Sequence, residues 1–269
     1  MRLIIMILSL FQPRYTPPVP PAQALLIISF GQSNCNGFYQ TVTQLPGYLQ
    51  GTQSNIQVWN YTLGTPAFQN YQVGVNNNID NGAQLQFPYF GPDTNLCYLL
   101  AQHYGVPVYL MKYAQQATSM GYHWNSTNGA LYPTLVSRAN DAIAAIELAT
   151  GKTVFPVLFS YQGESDGAVQ AYADNYLTYL NNFHTAFAAA IGEANLHWVM
   201  CRIQLGLTNI FPYYFTVYNA QTTFCGNDPT YRHLISTNGQ PTSDGVHLNG
   251  YGQVAIGQAA YDIIKLLYS

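Results

Sequence analysis

The chain has 269 residues, of which eight are Lys or Arg and eleven are Asp or Glu, so charged residues make up 7% against about a quarter in a typical globular protein. Apolar residues still reach 48%, which is enough to bury a full-sized core. With a net charge of −3 and no basic cluster, the chain lacks a positive patch that could neutralise nucleic-acid phosphates, which excludes nucleic-acid binding driven by counterion release. The longest apolar run, Leu3 to Phe11, is interrupted by Ser9 and is shorter than the roughly 20 residues of a membrane span.

The polar surface must therefore consist mainly of Asn, Gln, Thr, Ser and Tyr, including 23 tyrosines. This uncharged surface favours an extracellular or virion-surface protein that meets sugars, with a cytoplasmic location as the alternative.

Residues 1–23 form a distinct N-terminal extension. Arg2 is followed by the apolar run, by five prolines between Pro13 and Pro21, and by small residues at Ala22 and Ala24. We interpret it as an apolar segment on a polyproline-like tether that docks on a neighbouring chain or on the domain's own surface. A signal peptide is the alternative. The remaining residues, 24–269, are predicted to form one domain.

From Ala24 onward, short apolar β-branched runs alternate with longer helical periodicities. This order predicts a three-layer α/β/α sandwich around a central parallel sheet, since the runs lack the polar alternation of a half-exposed strand. The Gly-, Asn- and Gln-rich stretch 62–89 is predicted to be a long loop of the kind that shapes binding sites. Predicted strands are Ala24–Phe30, Val106–Met111, Val154–Phe159 and Trp198–Ile203, and predicted helices are Asp93–Tyr104, Leu131–Thr150, Ala168–Ile191 and Tyr251–Leu267.

Cysteine and histidine spacings give no metal motif, and we predict no metal and no cofactor. Cys97 falls in a helical pattern and Cys201 in a strand pattern, where a buried free thiol behaves as a small hydrophobe. The pairing of the four cysteines stays open at this point.

Four polar motifs follow predicted strands or precede the last helix. Because the carboxyl ends of parallel strands meet at one edge of a sheet, these motifs are expected to converge there. They are Gly31-Gln32-Ser33-Asn34, the segment Lys112 to Thr118, Gln162-Gly163-Glu164-Ser165-Asp166, and Ser243-Asp244-Gly245-Val246-His247. A serine, an aspartate and a histidine are thereby predicted to share one site.

Together with Gly91-Pro92-Asp93, these motifs resemble the SGNH hydrolase superfamily, within it the sialic acid O-acetylesterase and plant-type carbohydrate esterase branch. The resemblance covers residues 24–262 and implies a flavodoxin-like fold with Ser33 as nucleophile, His247 as base and Asp244 as its orienting acid. The residue chemistry agrees, because a serine hydroxyl needs an imidazole to take its proton and a carboxylate to orient that imidazole. Cys35, two residues past Ser33, does not occupy the family's nucleophile position.

The resemblance also implies an oxyanion hole made of the Ser33 backbone N–H, the Gln162 side chain and the backbone at Ala117. Related sequences usually have two glycines where this chain has Gln116 and Ala117. A β-carbon there is expected to narrow the pocket or to shift the N–H group. The neighbours expected to support these groups from behind are Gln32, Asn34, Gly163 and Glu164.

The sequence therefore predicts a serine esterase that removes O-acetyl groups from a carbohydrate, so its predicted partner is an acetylated carbohydrate. Two alternatives remain: a catalytically weak carbohydrate-binding or virion structural module, and a lipase or thioesterase of the same superfamily. The Gln162 to Asp166 motif favours the carbohydrate branch over the lipases.

Overall fold

The computed structural model describes residues 22–38, 40–76, 89–207 and 209–268. The predicted N-terminal extension, apart from its last two residues, lies outside the described residues. Within them, seven strands form one sheet: β1 Ala24–Gly31, β2 Thr52–Asn60, β3 Ala67–Gln72, β4 Val108–Ala114, β5 Val154–Tyr161, β6 His197–Arg202 and β7 Arg232–Ser236.

The strand order is β3-β2-β4-β1-β5-β6-β7, and every neighbouring pair is parallel except β2 with β3. The prediction of a purely parallel sheet is therefore corrected at one edge. β3 lies inside the stretch 62–89 that was predicted to be a loop, and residues 77–88 of that stretch are outside the described residues. Among the β3 side chains only Tyr71 is buried, so the strand is defined by pairing with β2 and leaves no apolar run to detect.

The helices lie on both faces of the sheet, as the arrangement of β1 illustrates. Adjacent residues of a strand point to opposite faces. Ser29 donates a hydrogen bond to Asp93 in one helical layer, and the ring of Phe30 stacks on Phe183 in the other at 4.8 Å. The predicted three-layer sandwich is confirmed. The helices are α1 Ser33–Asn36, α2 Asp93–Tyr104, α3 Tyr132–Thr150, α4 Gln170–Ala190, α5 Tyr214–Gly226 and α6 Gly250–Leu267.

A buried ion pair ties β4 to α2 just below the carboxyl edge of the sheet. Lys112 Nζ lies 2.9 Å from Asp93 Oδ2, and both side chains are almost fully buried. Removing one partner of such a pair leaves an uncompensated buried charge and costs roughly 3–5 kcal/mol. The pair therefore fixes the height of α2 relative to the strand that carries the Lys112 to Thr118 motif.

All four cysteines are buried and free, which confirms the free-thiol interpretation of Cys97 and Cys201. No helix of the described part of the chain is long and apolar enough to cross a membrane.

Candidate active site

The end of β1 can approach β5 closely only because Gly31 has no side chain. A β-carbon there would lie 2.3 Å from the Tyr161 carbonyl oxygen, and the residue adopts a φ of +150° that L side chains rarely take. The chain then turns directly into α1. This geometry sets Gln32 and Ser33 at the carboxyl edge of the sheet, beside the loop that follows β5.

Ser33, His247 and Asp244 form one hydrogen-bonded chain. Asp244 Oδ2 lies 2.7 Å from His247 Nδ1, and His247 Nε2 lies 3.0 Å from Ser33 Oγ. Because an ionised carboxylate is only an acceptor, Nδ1 carries the proton, and Nε2 is left to accept the Ser33 hydroxyl. The three side chains that the sequence predicted to share one site are therefore in contact.

Asp244 is held in place by the backbone of its own turn. Its Oδ1 accepts the backbone N–H groups of Val246 at 3.0 Å and His247 at 2.8 Å. Burial raises the pKa of Asp244, but these bonds and the His247 ring outweigh it, so the pKa lies below its ordinary value. The carboxylate thus stays ionised where it faces the imidazole.

Asn34 links helix α1, which begins at Ser33, to both sequence neighbours of His247. Its Nδ2 donates to the Val246 carbonyl at 3.1 Å, and its Oδ1 accepts the Leu248 N–H at 2.9 Å. The same Nδ2 donates to Glu164 Oε1 at 2.7 Å. Since Asn34 directly follows Ser33, this clamp fixes the spacing between the hydroxyl and the imidazole.

Glu164 is a buried carboxylate behind the clamp. Burial raises its pKa, and the hydrogen bond from Asn34 opposes that shift. Its Oε2 has no hydrogen-bond partner among the described residues. Glu164 hydrogen-bonds to Asn34 rather than to Ser33, His247 or Asp244, so its contact with these three residues is indirect.

Both ends of the Gln162 side-chain amide hydrogen-bond to protein atoms. Its Nε2 donates to Asp166 Oδ2 at 2.6 Å and to the Thr118 carbonyl at 3.4 Å, and its Oε1 accepts the Tyr176 hydroxyl at 2.6 Å. The amide hydrogens that the sequence predicted for the oxyanion hole are thus directed at other protein groups. Gln162 instead braces the loop after β5 against the loop after β4.

Asp166 organises the loop after β4. It accepts the backbone N–H groups of Met120 at 2.8 Å and Gly121 at 2.9 Å, in addition to Gln162. Burial raises its pKa to about 6 despite these hydrogen bonds. Sequence reasoning did not assign a role to this residue, although it stands in the Gln162 to Asp166 motif.

Ala117 adopts a left-handed conformation with φ +55°, which non-glycine residues avoid at a cost on the order of 1–3 kcal/mol. It is the one described non-glycine residue with a positive φ. The chain therefore keeps a glycine-like turn at this position although it carries a β-carbon, and the side chain lies against the cavity.

A cavity of about 320 Å³ opens in front of Ser33. Its apolar wall consists of Phe38, Ile210, Phe211 and Val246, and the Phe38 ring packs edge-on against His247 at 5.0 Å. The other lining residues are Gln32, Ser33, Gln116, Ala117, Ser165 and His247. A larger cavity of about 620 Å³ between residues 43–46 and 249–254 has no histidine, serine, cysteine, lysine or carboxylate in its lining, so volume alone does not locate the chemistry.

Cys35 is excluded as a rival nucleophile by its surroundings. It is fully buried beside Ser29, and burial raises the pKa of its thiol to about 11. A thiol of that pKa is almost entirely protonated near neutral pH. In the described ranges, no group of three or more His, Cys, Asp or Glu side chains is arranged to hold a metal ion.

A hydroxyl, an imidazole and a carboxylate joined in one hydrogen-bonded chain at the strand ends of an α/β sandwich are the groups that nucleophilic hydrolysis of an ester uses. Residues 23–264 match the family described as carbohydrate esterase, sialic acid-specific acetylesterase. The chain belongs to this family and is a carboxylic ester hydrolase.

Solved structures share the fold at low sequence identity. A protein from Arabidopsis thaliana has a TM-score of 0.73 at 19% identity, with 93% of this chain and all of that chain covered. NanS has a TM-score of 0.62 at 13% identity, covering 93% and 99% of the two chains. A carbohydrate acetylesterase from Xanthomonas citri has a TM-score of 0.60 at 12% identity, covering 91% of this chain and 56% of that one. No curated protein sequence matches this chain.

Proposed function

We propose that this esterase removes O-acetyl groups from carbohydrates, with Ser33 as nucleophile, His247 as general base and Asp244 as the group that orients the imidazole. The observation that carries the mechanism is the continuous hydrogen-bonded chain from Asp244 through His247 to Ser33, 2.7 and 3.0 Å long at its two links. The family assignment supports the acetyl group and the carbohydrate.

In the proposed reaction, Ser33 Oγ attacks the acetyl carbonyl carbon while its proton moves to His247 Nε2. The carbonyl electron pair moves to oxygen, and the resulting tetrahedral intermediate collapses when the bond to the sugar oxygen breaks. That oxygen takes the proton from His247 and leaves as an alcohol. Water then repeats the sequence on the acetyl-enzyme and releases acetate.

The surroundings of the imidazole suit this proton transfer. The side chain of His247 is 17% exposed and packs against Phe38, while Asp244 faces its Nδ1. The partly buried position strengthens the attraction between Asp244 and the imidazolium that forms when Ser33 loses its proton.

The first test is Ser33→Ala. Loss of the attacking atom should reduce turnover of p-nitrophenyl acetate by at least about 10⁴-fold, while the melting temperature stays near that of the wild type. A serine-directed phosphonate should label the wild type at Ser33, as peptide mass spectrometry would detect. Cys35→Ala is the matched control and should retain turnover. A Ser33→Ala variant with more than a few per cent of wild-type activity would contradict the assignment.

The second test identifies the substrate class. Acetate release is measured from acetylated xylan, acetylated sialic acid and peracetylated monosaccharides, with p-nitrophenyl octanoate as the lipase substrate. Release from at least one of the sugars, with Ser33→Ala inactive on it, is the expected result. Preference for octanoate would indicate a lipase, and sugar binding without release would indicate a binding module.

A further inference from the structure

The side-chain amide of Gln32 lies at the wall of the cavity with one end held by the protein. Its Oε1 accepts the backbone N–H of Gly163 at 3.3 Å and that of Ser165 at 3.2 Å. Gln32 is 3% exposed and lines the cavity together with Ser33 and Ala117. One end of the amide is therefore fixed to the loop after β5.

These two contacts determine how the amide is oriented. Backbone N–H groups only donate, so the atom that faces Gly163 and Ser165 must be the acceptor Oε1. The Nε2 group then occupies the other branch of the amide, on the cavity side. Across the residues the structure describes, Gln32 Nε2 donates to no protein atom. Its two N–H donors remain unused next to the nucleophile.

The side-chain amide of Gln162, in contrast to that of Gln32, already donates to protein atoms. Its Nε2 donates to Asp166 and to the Thr118 carbonyl, its Oε1 accepts the Tyr176 hydroxyl, and it does not line the cavity. A donor can stabilise a developing charge only if it reaches the reacting oxygen without first breaking another bond. Of the two glutamines, Gln32 meets that condition.

We propose that Gln32 Nε2 is the side-chain donor of the oxyanion hole, the role that the family resemblance assigned to Gln162. When Ser33 Oγ bonds to the carbonyl carbon and its proton passes to His247, the carbonyl π pair becomes a lone pair on oxygen. Gln32 Nε2 donates a hydrogen bond to that oxygen, and the bond weakens again when the intermediate collapses. Gly163 and Ser165 keep the donor aimed because they hold Oε1. The inference rests on the proposed attack by Ser33.

Gln32→Glu and Gln32→Met separate this role from a structural one. A glutamate still accepts the N–H groups of Gly163 and Ser165, but it presents a negatively charged oxygen where Nε2 was. A methionine of similar shape loses the loop contacts and the donor together. If Gln32 only holds the loop, Gln32→Glu stays near wild type and Gln32→Met falls. If it is the oxyanion donor, both fall and Gln32→Glu falls further.

We expect Gln32→Glu to lower kcat for p-nitrophenyl acetate by about 10²–10³-fold, with KM within about threefold of the wild type. The rate at which an organophosphonate labels Ser33 should fall in parallel, because a charged oxygen develops on phosphorus in that reaction too. The melting temperature of each variant is measured as the check on folding. Near wild-type kcat in Gln32→Glu, or a larger loss in Gln32→Met than in Gln32→Glu, overturns the proposal.

If the buried charge unfolds Gln32→Glu, the methionine variant decides. Loss of kcat and of the phosphonylation rate with the KM and melting temperature of the wild type supports the donor role, because a loosened loop would change KM or the melting temperature. Wild-type kcat, or a kcat loss accompanied by either of those changes, overturns it. The assay contains no sugar, so failure of the carbohydrate proposal leaves the result standing. A wild type that neither hydrolyses the ester nor is labelled at Ser33 overturns both proposals.

Discussion

Two sides of the cavity in front of Ser33 are built in opposite ways. One side is a polar floor, which we define as Gln32, Asn34, Gln162, Glu164 and Asp166. Each of these residues is at most 3% exposed. Hydrogen bonds join them to the loops after β1, β4 and β5 and to the loop before α6. The apolar wall, defined above, offers no polar side chain, and its Ile210 is 54% exposed.

The difference between the two sides suggests that one positions the reacting atoms and the other selects the substrate. Buried polar groups that bond one another hold the reacting atoms in place, because each would lose a partner if it moved. We expect the apolar wall to contact the part of the substrate that varies, where contact area and shape decide preference. Substitutions in the floor should therefore change kcat or stability, and substitutions around the acyl group should change selectivity.

Asp244 gives the most severe test of this comparison, because the proposed mechanism needs it although its side chain is 40% exposed. In Asp244→Asn, an amide N–H would face Nδ1 of His247 and disfavour the tautomer that is protonated at Nδ1. The proton would then sit on Nε2, which could no longer accept the Ser33 hydroxyl proton. We expect kcat/KM for p-nitrophenyl acetate to fall by about 10²–10⁴-fold. Asp262→Asn, a change of an exposed carboxylate on α6, is the control. Activity of Asp244→Asn within threefold of the wild type would mean that Asp244 does not orient the base.

Asp166 tests the floor through stability. Its pKa is raised to about 6 by burial, so between about pH 4 and 6 the folded protein binds more protons than the unfolded chain. The contribution of Asp166 to the free energy of unfolding therefore falls as pH rises through this window, by about 3 kcal/mol in all. Urea titrations of the wild type and Asp166→Asn at pH 4, 5, 6 and 7 should give a difference that shrinks with rising pH. A difference that grows would mean that the ionised form is the one the fold favours.

The smallest expected effect concerns the acyl group. Gln116 and Ala117 add side-chain atoms to the cavity lining where related sequences usually carry glycines. The wild type should prefer p-nitrophenyl acetate to the butyrate ester, since each excluded methylene is worth roughly 1–3 kcal/mol. The double variant Gln116→Gly with Ala117→Gly should raise kcat/KM for butyrate relative to acetate by about tenfold. Leu148→Ala, on an exposed position of α3, should leave the ratio unchanged. An unaltered ratio in the double variant would show that these two residues do not set acyl size.

The sequence predicted most clearly those elements that are buried on periodic faces. The helix Asp93–Tyr104 was predicted with the bounds that the structure has, and the strands at Ala24 and Val154 begin where expected. β2, β3 and β7 were missed because polar residues interrupt each strand, so none of them leaves a continuous apolar run. α5 was missed because its apolar residues follow no clear helical stripe.

At the site, the motif residues Ser33, Asp244 and His247 could be predicted because each one supplies a type of chemistry that few others can replace. The division of labour between Gln32 and Gln162 could not, since both are glutamines in motifs that follow strands. Only the partners of each amide distinguish them. Those of Gln32 lie 131 and 133 positions away, and those of Gln162 include Tyr176 on α4 and the Thr118 carbonyl in the loop after β4. The extracellular or virion location and the docking of residues 1–23 stay predictions.

The contacts of Asn34 also determine when the site can form during folding. Its side chain bonds residues 130 and 212 positions away, and its carbonyl accepts the Gln253 side chain 219 positions away. Closing such long loops is entropically costly and slow compared with forming a local helix. We therefore expect the hydroxyl and imidazole to acquire their mutual position only after the C-terminal helix has docked. A nascent chain that still lacks this helix is expected to carry Ser33 without an imidazole in place, so that hydrolysis begins only after α6 has been synthesised.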